Sequence, residues 1–327
     1  MIISILWLIG SLVLILLGAN YLVDGASNVA RRFGMSDLVV GLTVVAFGTS
    51  TPELSISVLS SIRGAESLAI GNVVGSNIFN ILVIIGITAM VRPVTVPKSI
   101  MTNQMFMMVL SAFVVLMLGN TVLLDGVAAN EITRSNGIFM LMLFIMFMIY
   151  TVKAAQKENK TARPEAAIKN ADKTPKPPLL KNCLFIAGGL AALIWGGDRF
   201  VDAASDLARR WGMTEAMIGL TIVAIGTSLP ELATSVTAAL KGRSDMAVGN
   251  VIGSNIFNVS LVLGTAATVR PLNFGTINNI DLLTLTGASL LFWLMAKVWG
   301  NSVINRAEGA ILTTAFVAYT YCLIVGI

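Results

Sequence analysis

The sequence predicts an all-α polytopic membrane protein in which ten transmembrane helices form two inverted five-helix repeats. Three observations lead there. The 327 residues are 56% hydrophobic and only 12% charged, about half the charged fraction of a soluble domain. The apolar residues gather into ten long runs, and a 63-residue segment of the first half recurs in the second half without a gap.

This composition excludes most soluble function classes. The net charge is +5, from 22 basic and 17 acidic residues, but so little polar surface remains that a nucleic-acid-binding patch has nowhere to form. The partner is a lipid bilayer. There is no histidine, which removes the commonest general base, the usual triads and the His-rich zinc sites. The chain reads as a non-enzyme without a resident cofactor. Its two cysteines, Cys183 and Cys322, lie in separate apolar runs and read as buried thiols rather than as a disulfide framework.

A helix crosses the ~30 Å hydrocarbon core with about 20 apolar residues, each rising ~1.5 Å. In order, the runs are Met1–Val23, Leu38–Ile62, Ser67–Val91, Ser99–Leu124, Ser135–Val152, Asn182–Gly197, Ala216–Leu240, Met246–Val269, Leu282–Ala296 and Gly309–Ile327. The first lacks a basic leader and is too long for a signal-peptide core, so it reads as a spanning helix. Eight runs are free of charge. Leu38–Ile62 contains only Glu53, and Ala216–Leu240 only Glu231.

Residues 153–181, between the fifth and sixth runs, hold eight basic residues, three acidic residues and four prolines, the pattern of a polar, flexible linker. Lys- and Arg-rich loops stay in the cytosol, so this linker is expected inside and both termini outside. The division is then 1–152, linker 153–181, and 182–327. Five crossings per half is an odd number, so the duplicated halves must insert in opposite senses.

Arg31–Pro93 and Arg209–Pro271 align at a constant offset of 178, with 33 of 63 positions identical, including Pro, Glu, Asn and Gly positions. Shared hydrophobicity alone does not reproduce such positions. In inverted repeats, substrate sites sit near the midplane on helices interrupted by Gly or Pro, and both copies carry such a break. These are Gly48-Thr49-Ser50-Thr51-Pro52-Glu53 and Gly226-Thr227-Ser228-Leu229-Pro230-Glu231. Proline cannot donate to the carbonyl four residues back and clashes with it, so the break gathers carbonyl oxygens beside the hydroxyls of Thr49, Ser50, Thr227 and Ser228.

A carboxylate in mid-membrane is expensive and is usually functional. If the repeats face each other, Glu53 and Glu231 meet among oxygen donors with a combined charge of −2. That combination describes a hard-cation site. Calcium takes six to eight oxygens in flexible geometry and fits best, with sodium as a second oxygen-seeking ion.

The next run of each half carries GNVVGSNIFN, residues 71–80, or GNVIGSNIFN, residues 249–258. Spacings of four place Asn72, Ser76 and Asn80 on one helix face, and Asn250, Ser254 and Asn258 on another. Ser76, Asn80, Ser254 and Asn258 are the expected ion ligands, with Asn72 and Asn250 as braces. The Gly71/Gly75 and Gly249/Gly253 pairs permit close helix approach. Asp24, Asp37, Asp198, Asp202, Asp206 and Glu215 lie near run ends beside arginines and read as surface ion pairs. The methionine-rich stretches read as packing or lipid-facing surface.

At these motifs the sequence resembles the calcium/cation antiporter superfamily, in its prokaryotic sodium/calcium exchanger type, with alpha-1 and alpha-2 motifs at residues 41–91 and 219–269. The resemblance implies calcium binding by Glu53, Glu231 and the backbone carbonyls of Thr49 and Thr227. It implies sodium binding by the same cluster with Ala46, Ser50, Ser76, Ala224, Ser228 and Ser254, and it places Asn80 and Asn258 beside the centre. The first and sixth helices would slide against the core, and a monomer would exchange calcium for sodium across a prokaryotic plasma (inner) membrane, normally exporting calcium. Some relatives have Asp where this chain has Asn258, so no potassium co-transport is expected. The alternative is calcium/proton exchange, in which Glu53 and Glu231 would titrate as a coupled pair. A cation channel would also use acidic residues but would conduct without a counter-ion. An intramembrane protease fits poorly, because both acids follow a proline and no protease signature accompanies them.

Overall fold

The computed structural model describes residues 2–33, 35–97, 103–169, 178–212, 224–275, 277–299 and 302–325. Among the described residues, each apolar run is occupied by helix. Among the described residues, six helices are long and apolar enough to cross a membrane: Ile3–Phe33, Glu66–Val91, Arg134–Ala154, Leu179–Arg210, Ser244–Val269 and Asn279–Lys297. The pair Asp37–Thr49 and Thr51–Ile62, bent by 45°, makes a seventh if taken as one broken span. The other three runs hold Gln104–Leu118, Leu229–Leu240 and Arg306–Val325, of which the first two are too short to cross alone. The chain is a multi-pass membrane protein.

The helices that position the site are named α1 (Ile2–Phe33), α2 (Asp37–Thr49), α3 (Thr51–Ile62), α4 (Glu66–Val91), α5 (Leu179–Arg210), α6 (Leu229–Leu240) and α7 (Ser244–Val269). The apolar windows of α4 and α7 are 83% and 94% buried, against 28% for α1 and 22% for α5. The two motif helices therefore form the centre, and α1 and α5 the periphery. Leu6, Trp7, Ile9, Leu12, Val13 and Leu16 of α1 are exposed, as expected of a face that meets lipid.

Glycines bring the halves together. A Cβ on Gly249 would lie 2.7 Å from the Leu38 carbonyl, and one on Gly253 would lie 2.9 Å from the Leu42 carbonyl, so α7 packs directly on α2 of the other half. For Gly71 and Gly75 the repeat-equivalent partner falls in 213–223, outside the described residues.

α1 and α5 pack along each other in opposite directions. Ser4 Oγ donates to Asp206 at 2.5 Å, while at the other end Asn28 Nδ2 donates to Asn182 Oδ1 at 3.1 Å. Ser4 and Asn182, like Asn28 and Asp206, are separated by the repeat offset of 178, so one contact is the other with the halves exchanged.

The fold is all-helical as expected, apart from two short ribbons: β1 (Val94–Thr95) pairs with β4 (Val303–Ile304), and β2 (Glu131–Ile132) with β3 (Leu272–Asn273), all antiparallel. All four residues of the first ribbon are β-branched, the type that favours such pairing. Each ribbon joins the two halves of the chain. The helix Arg134–Lys169 runs through the first part of the linker, which is rich in the strong helix formers Ala, Lys, Glu and Gln. Two expectations are corrected. Cys183 is exposed and Cys322 partly so, because in a bilayer an outward apolar position meets lipid. Among the described residues Asp198 forms no ion pair and stands on a cleft wall, whereas Asp202 pairs with Arg199 and Asp206 with Arg210 as expected.

Candidate cation site

The two proline breaks lie where the sequence places them. Ser50 (φ −83°, ψ 9°) interrupts the helix between α2 and α3, and Ser228 (φ −91°, ψ 5°) does so before α6. Each is followed two residues later by the proline that cannot continue the ladder. Glu53 and Glu231 then fall in the first turn of α3 and α6, where a helix N-terminus favours negative charge.

The halves meet at these carboxylates in crossed fashion. Ser50 Oγ donates to Glu231 Oε1 at 3.1 Å, and Ser228 Oγ donates to Glu53 Oε1 at 3.4 Å. Glu53 is 0% and Glu231 1% exposed, and among the described residues neither forms an ion pair.

Behind the carboxylates, Asn72 Nδ2 donates to the Glu53 carbonyl at 3.4 Å and to Ser57 Oγ at 3.0 Å. Asn250 repeats this with the Glu231 carbonyl at 3.5 Å and Ser235 Oγ at 3.0 Å. These bonds hold the start of each broken half-helix against its neighbour. Asn250 Oδ1 also accepts from Thr49 Oγ1 at 3.3 Å.

Thr49, Ser50, Ser76, Asn80, Thr227, Ser228, Ser254 and Asn258 are all buried, as is Ala46. The side chain of Ala224 lies outside the described residues. Both asparagines expected at the centre open a stretch of π-helix, Asn80–Ile84 and Asn258–Leu263, a distortion that concentrates at functional sites.

Among the described residues, several of these buried oxygens have no hydrogen-bond partner: Glu53 Oε2, Glu231 Oε2, Ser76 Oγ, Ser254 Oγ and Asn258 Oδ1, with both polar atoms of Asn80. Native interiors leave few such atoms. An oxygen-seeking cation would satisfy the oxygens and balance the carboxylates together, so the donor set fits calcium or sodium as a transported ion.

The sequence reading passed over Ser57 and Ser235, which receive the braces, and Asn77 and Asn255. Asn77 Nδ2 donates to the Asn255 carbonyl at 3.2 Å, and Asn258 Nδ2 donates to Asn77 Oδ1 at 3.0 Å. Their presence in both copies was the available signal.

A cleft of about 260 Å³ reaches the breaks between α5 and α3, lined in part by Pro52, Ile56, Asp198, Asp202, Thr227 and Pro230. On the repeat-related side α1 packs against α6. There Asp24 pairs with Lys241 at 2.9 Å and Arg243 at 3.6 Å. Asp202, its counterpart, pairs instead with Arg199 of its own helix at 3.3 Å.

A family model described as sodium/calcium exchanger protein matches residues 3–153 and 181–325. The putative antiporter CaxA of Alkalimonas amylolytica is 37% identical over 331 residues, covering 99% of each chain. The sodium/calcium exchanger MaX1 of Methanosarcina acetivorans is 30% identical, covering 97% of each. The solved structure of the sodium-calcium exchanger NCX_Mj, soaked with 10 mM Na+ and no Ca2+, superposes with a TM-score of 0.81 at 30% identity, covering 98% of each chain. With crossed carboxylates on duplicated motif helices and these matches along nearly its whole length, the chain belongs to the sodium/calcium exchanger protein family.

Proposed function

We propose that this protein is a secondary antiporter that exchanges Ca2+ for Na+ across the prokaryotic plasma membrane by alternating access, normally moving Ca2+ outward. The observation that carries this reading is the pair Glu53 and Glu231, buried and, among the described residues, without a cationic partner and surrounded by unpartnered oxygens. Either two sodium ions or one calcium ion offsets two carboxylates. Competition for one cluster then couples the two fluxes, since an empty charged site resists reorientation.

In this reading the chain has ten spanning helices, with five in 1–152 and five of opposite sense in 182–327, and the basic segment between them faces the cytosol. The repeat-exchanged contacts of α1 and α5 support opposite insertion of the halves. One chain contains both halves of the site and works as a monomer. Glu53, Glu231 and the carbonyls of Thr49 and Thr227 hold calcium. Ala46, Ser50, Ser76, Ala224, Ser228 and Ser254 join them around sodium, and Asn80 and Asn258 flank the centre.

Everted membrane vesicles test the coupling. Calcium uptake is expected to follow an imposed sodium gradient and to persist when the pH gradient is collapsed. Uptake that follows only the pH gradient would convert the assignment to calcium/proton exchange, and flux with neither gradient would indicate a channel.

Alternating access makes a second demand. The pair of α1 and α5 must leave its present docking, so Asp24→Asn should favour the opposite-facing state. Partly exposed ion pairs contribute roughly 0.2–1 kcal/mol, a population shift of about 1.4- to fivefold. A cysteine at Ile194 in the cleft, in a background with Cys183 and Cys322 replaced by serine, should react more slowly with an impermeant thiol reagent when Asp24 is neutralised. Unchanged labelling would remove the clasp from the transport cycle.

A further inference from the structure

Asn80 and Asn258 occupy equivalent positions in motifs that differ only at Val74 and Ile252, yet their surroundings differ. An amide presents oxygen on one side and NH2 on the other, and only the oxygen serves a cation. Which end faces inward depends on what holds the other end.

For Asn258 the answer follows from a chain of three groups. The Asn255 backbone carbonyl only accepts, so the atom of Asn77 that meets it, at 3.2 Å, must be Nδ2. That leaves Asn77 Oδ1 facing Asn258, where only a donor is accommodated, and Asn258 Nδ2 meets it at 3.0 Å. Asn258 Oδ1 is thereby turned to the remaining side, buried and without a partner. Asn77 and Asn258 are 1% and 0% exposed, so water does not compete for either amide.

The equivalent chain is not built in the other half. Asn255 Nδ2 turns to the Val251 carbonyl of its own helix at 2.7 Å, Asn255 Oδ1 has no partner, and neither polar atom of Asn80 has one. Among the described residues, no hydrogen bond fixes the orientation of Asn80.

We propose that Asn77 is a positioning residue that sets the Asn258 amide with its oxygen toward the transported cation, and that Asn80 has no such setting. The inference rests on the exchanger reading, because it takes the unpartnered oxygen of Asn258 as a cation ligand. It assigns unequal roles to two residues that the duplication makes look alike.

A carboxylate at 258 would present an oxygen in either orientation, so Asn258→Asp should relieve the need for Asn77. Calcium affinity would be measured by equilibrium binding of radioactive calcium to purified protein, with and without Asn77→Ala, in the native and Asn258→Asp backgrounds. In the native background the loss of Asn77 is expected to weaken calcium binding about tenfold, the scale of one hydrogen bond to a charged site. In the Asn258→Asp background the loss should be about twofold or less. Asn255→Ala should also cost less than Asn77→Ala.

Equal losses in the two backgrounds would reduce Asn77 to a packing residue and overturn the proposal, as would no loss in either. Where Asn77→Ala does not yield folded protein, Asn77→Ser replaces it. If neither folds in either background, Asn77 holds the fold and the proposal is again overturned. Absence of calcium binding by the unmodified protein would instead sink the exchanger reading, a result separate from the comparison of backgrounds.

Discussion

Glu53→Gln and Glu231→Gln are each expected to abolish calcium transport, with initial uptake into proteoliposomes falling by at least about 100-fold, the equivalent of roughly 3 kcal/mol. The side chains keep their size and one oxygen, so the broken helices, the crossed serine contacts and the Asn72 and Asn250 braces have no steric reason to move. What changes is charge. A divalent ion facing one remaining carboxylate is left with an unbalanced positive charge in a buried site, which is costly. Sodium is penalised less, since one carboxylate balances one monovalent ion. Sodium-dependent thermal stabilisation of either variant should therefore outlast its calcium-dependent counterpart. Normal insertion and normal elution as a folded protein would confirm that the loss lies in the site. Calcium exchange retained in both variants would remove the basis for placing the cation there.

The largest effect on stability is expected at Gly41→Val. A Cβ at Gly41 would lie 2.5 Å from the Met246 carbonyl oxygen, 3.0 Å from Met246 Cα and 3.2 Å from Asn250 N. All three are backbone atoms, so no rotamer change relieves the overlap, and α2 and α7 must separate. Overpacking of this kind costs about 1–3 kcal/mol, and more where the backbone cannot shift. The same displacement would move Asn250 off the Glu231 carbonyl and Ser235. The variant should be recovered in much lower yield with a strongly lowered melting temperature. Gly10→Ala makes the comparison, because a Cβ at Gly10 meets no atom within 4 Å. A melting temperature at Gly41→Val equal to that of Gly10→Ala would show that the halves do not depend on this contact.

The duplication made the site legible in the sequence. Glu53 and Glu231 interrupt otherwise charge-free runs, and an offset that pairs them also pairs the proline breaks and the two motif helices, so their meeting followed from the repeat. The braces were legible for a similar reason, because Asn72 and Asn250 precede the ligand positions on the same helix face. Asn77 was not. Spacings of four set aside the residue one position beyond Ser76, whose role appears only when the opposing backbone of Asn255 is in place. The β-ribbons escaped for want of length, since two residues carry no periodicity. The helical first part of the linker was hidden by its prolines and charges, which outweighed its helix propensity. The π-helical stretches at Asn80 and Asn258 have no compositional signal.

The asymmetry of docking has an energetic consequence. If the protein works by alternating access as proposed, duplicated halves give every lopsided conformation a twin in which the halves trade places, and the energies of the twins differ only through residues the halves do not share. Duplication would then bring the two wells close in depth. The residual tilt is local: where Asp24 meets Lys241 and Arg243, the twin offers Asp202 only Arg63, with Ala65 at the second position. Two cations against one deepen the present well by a fraction of a kcal/mol to about 1 kcal/mol. In the proposed alternating-access cycle, Arg243→Ala would level the floor, so this partly buried residue, outside the cation site itself, would set how the resting population divides between the two faces of the membrane.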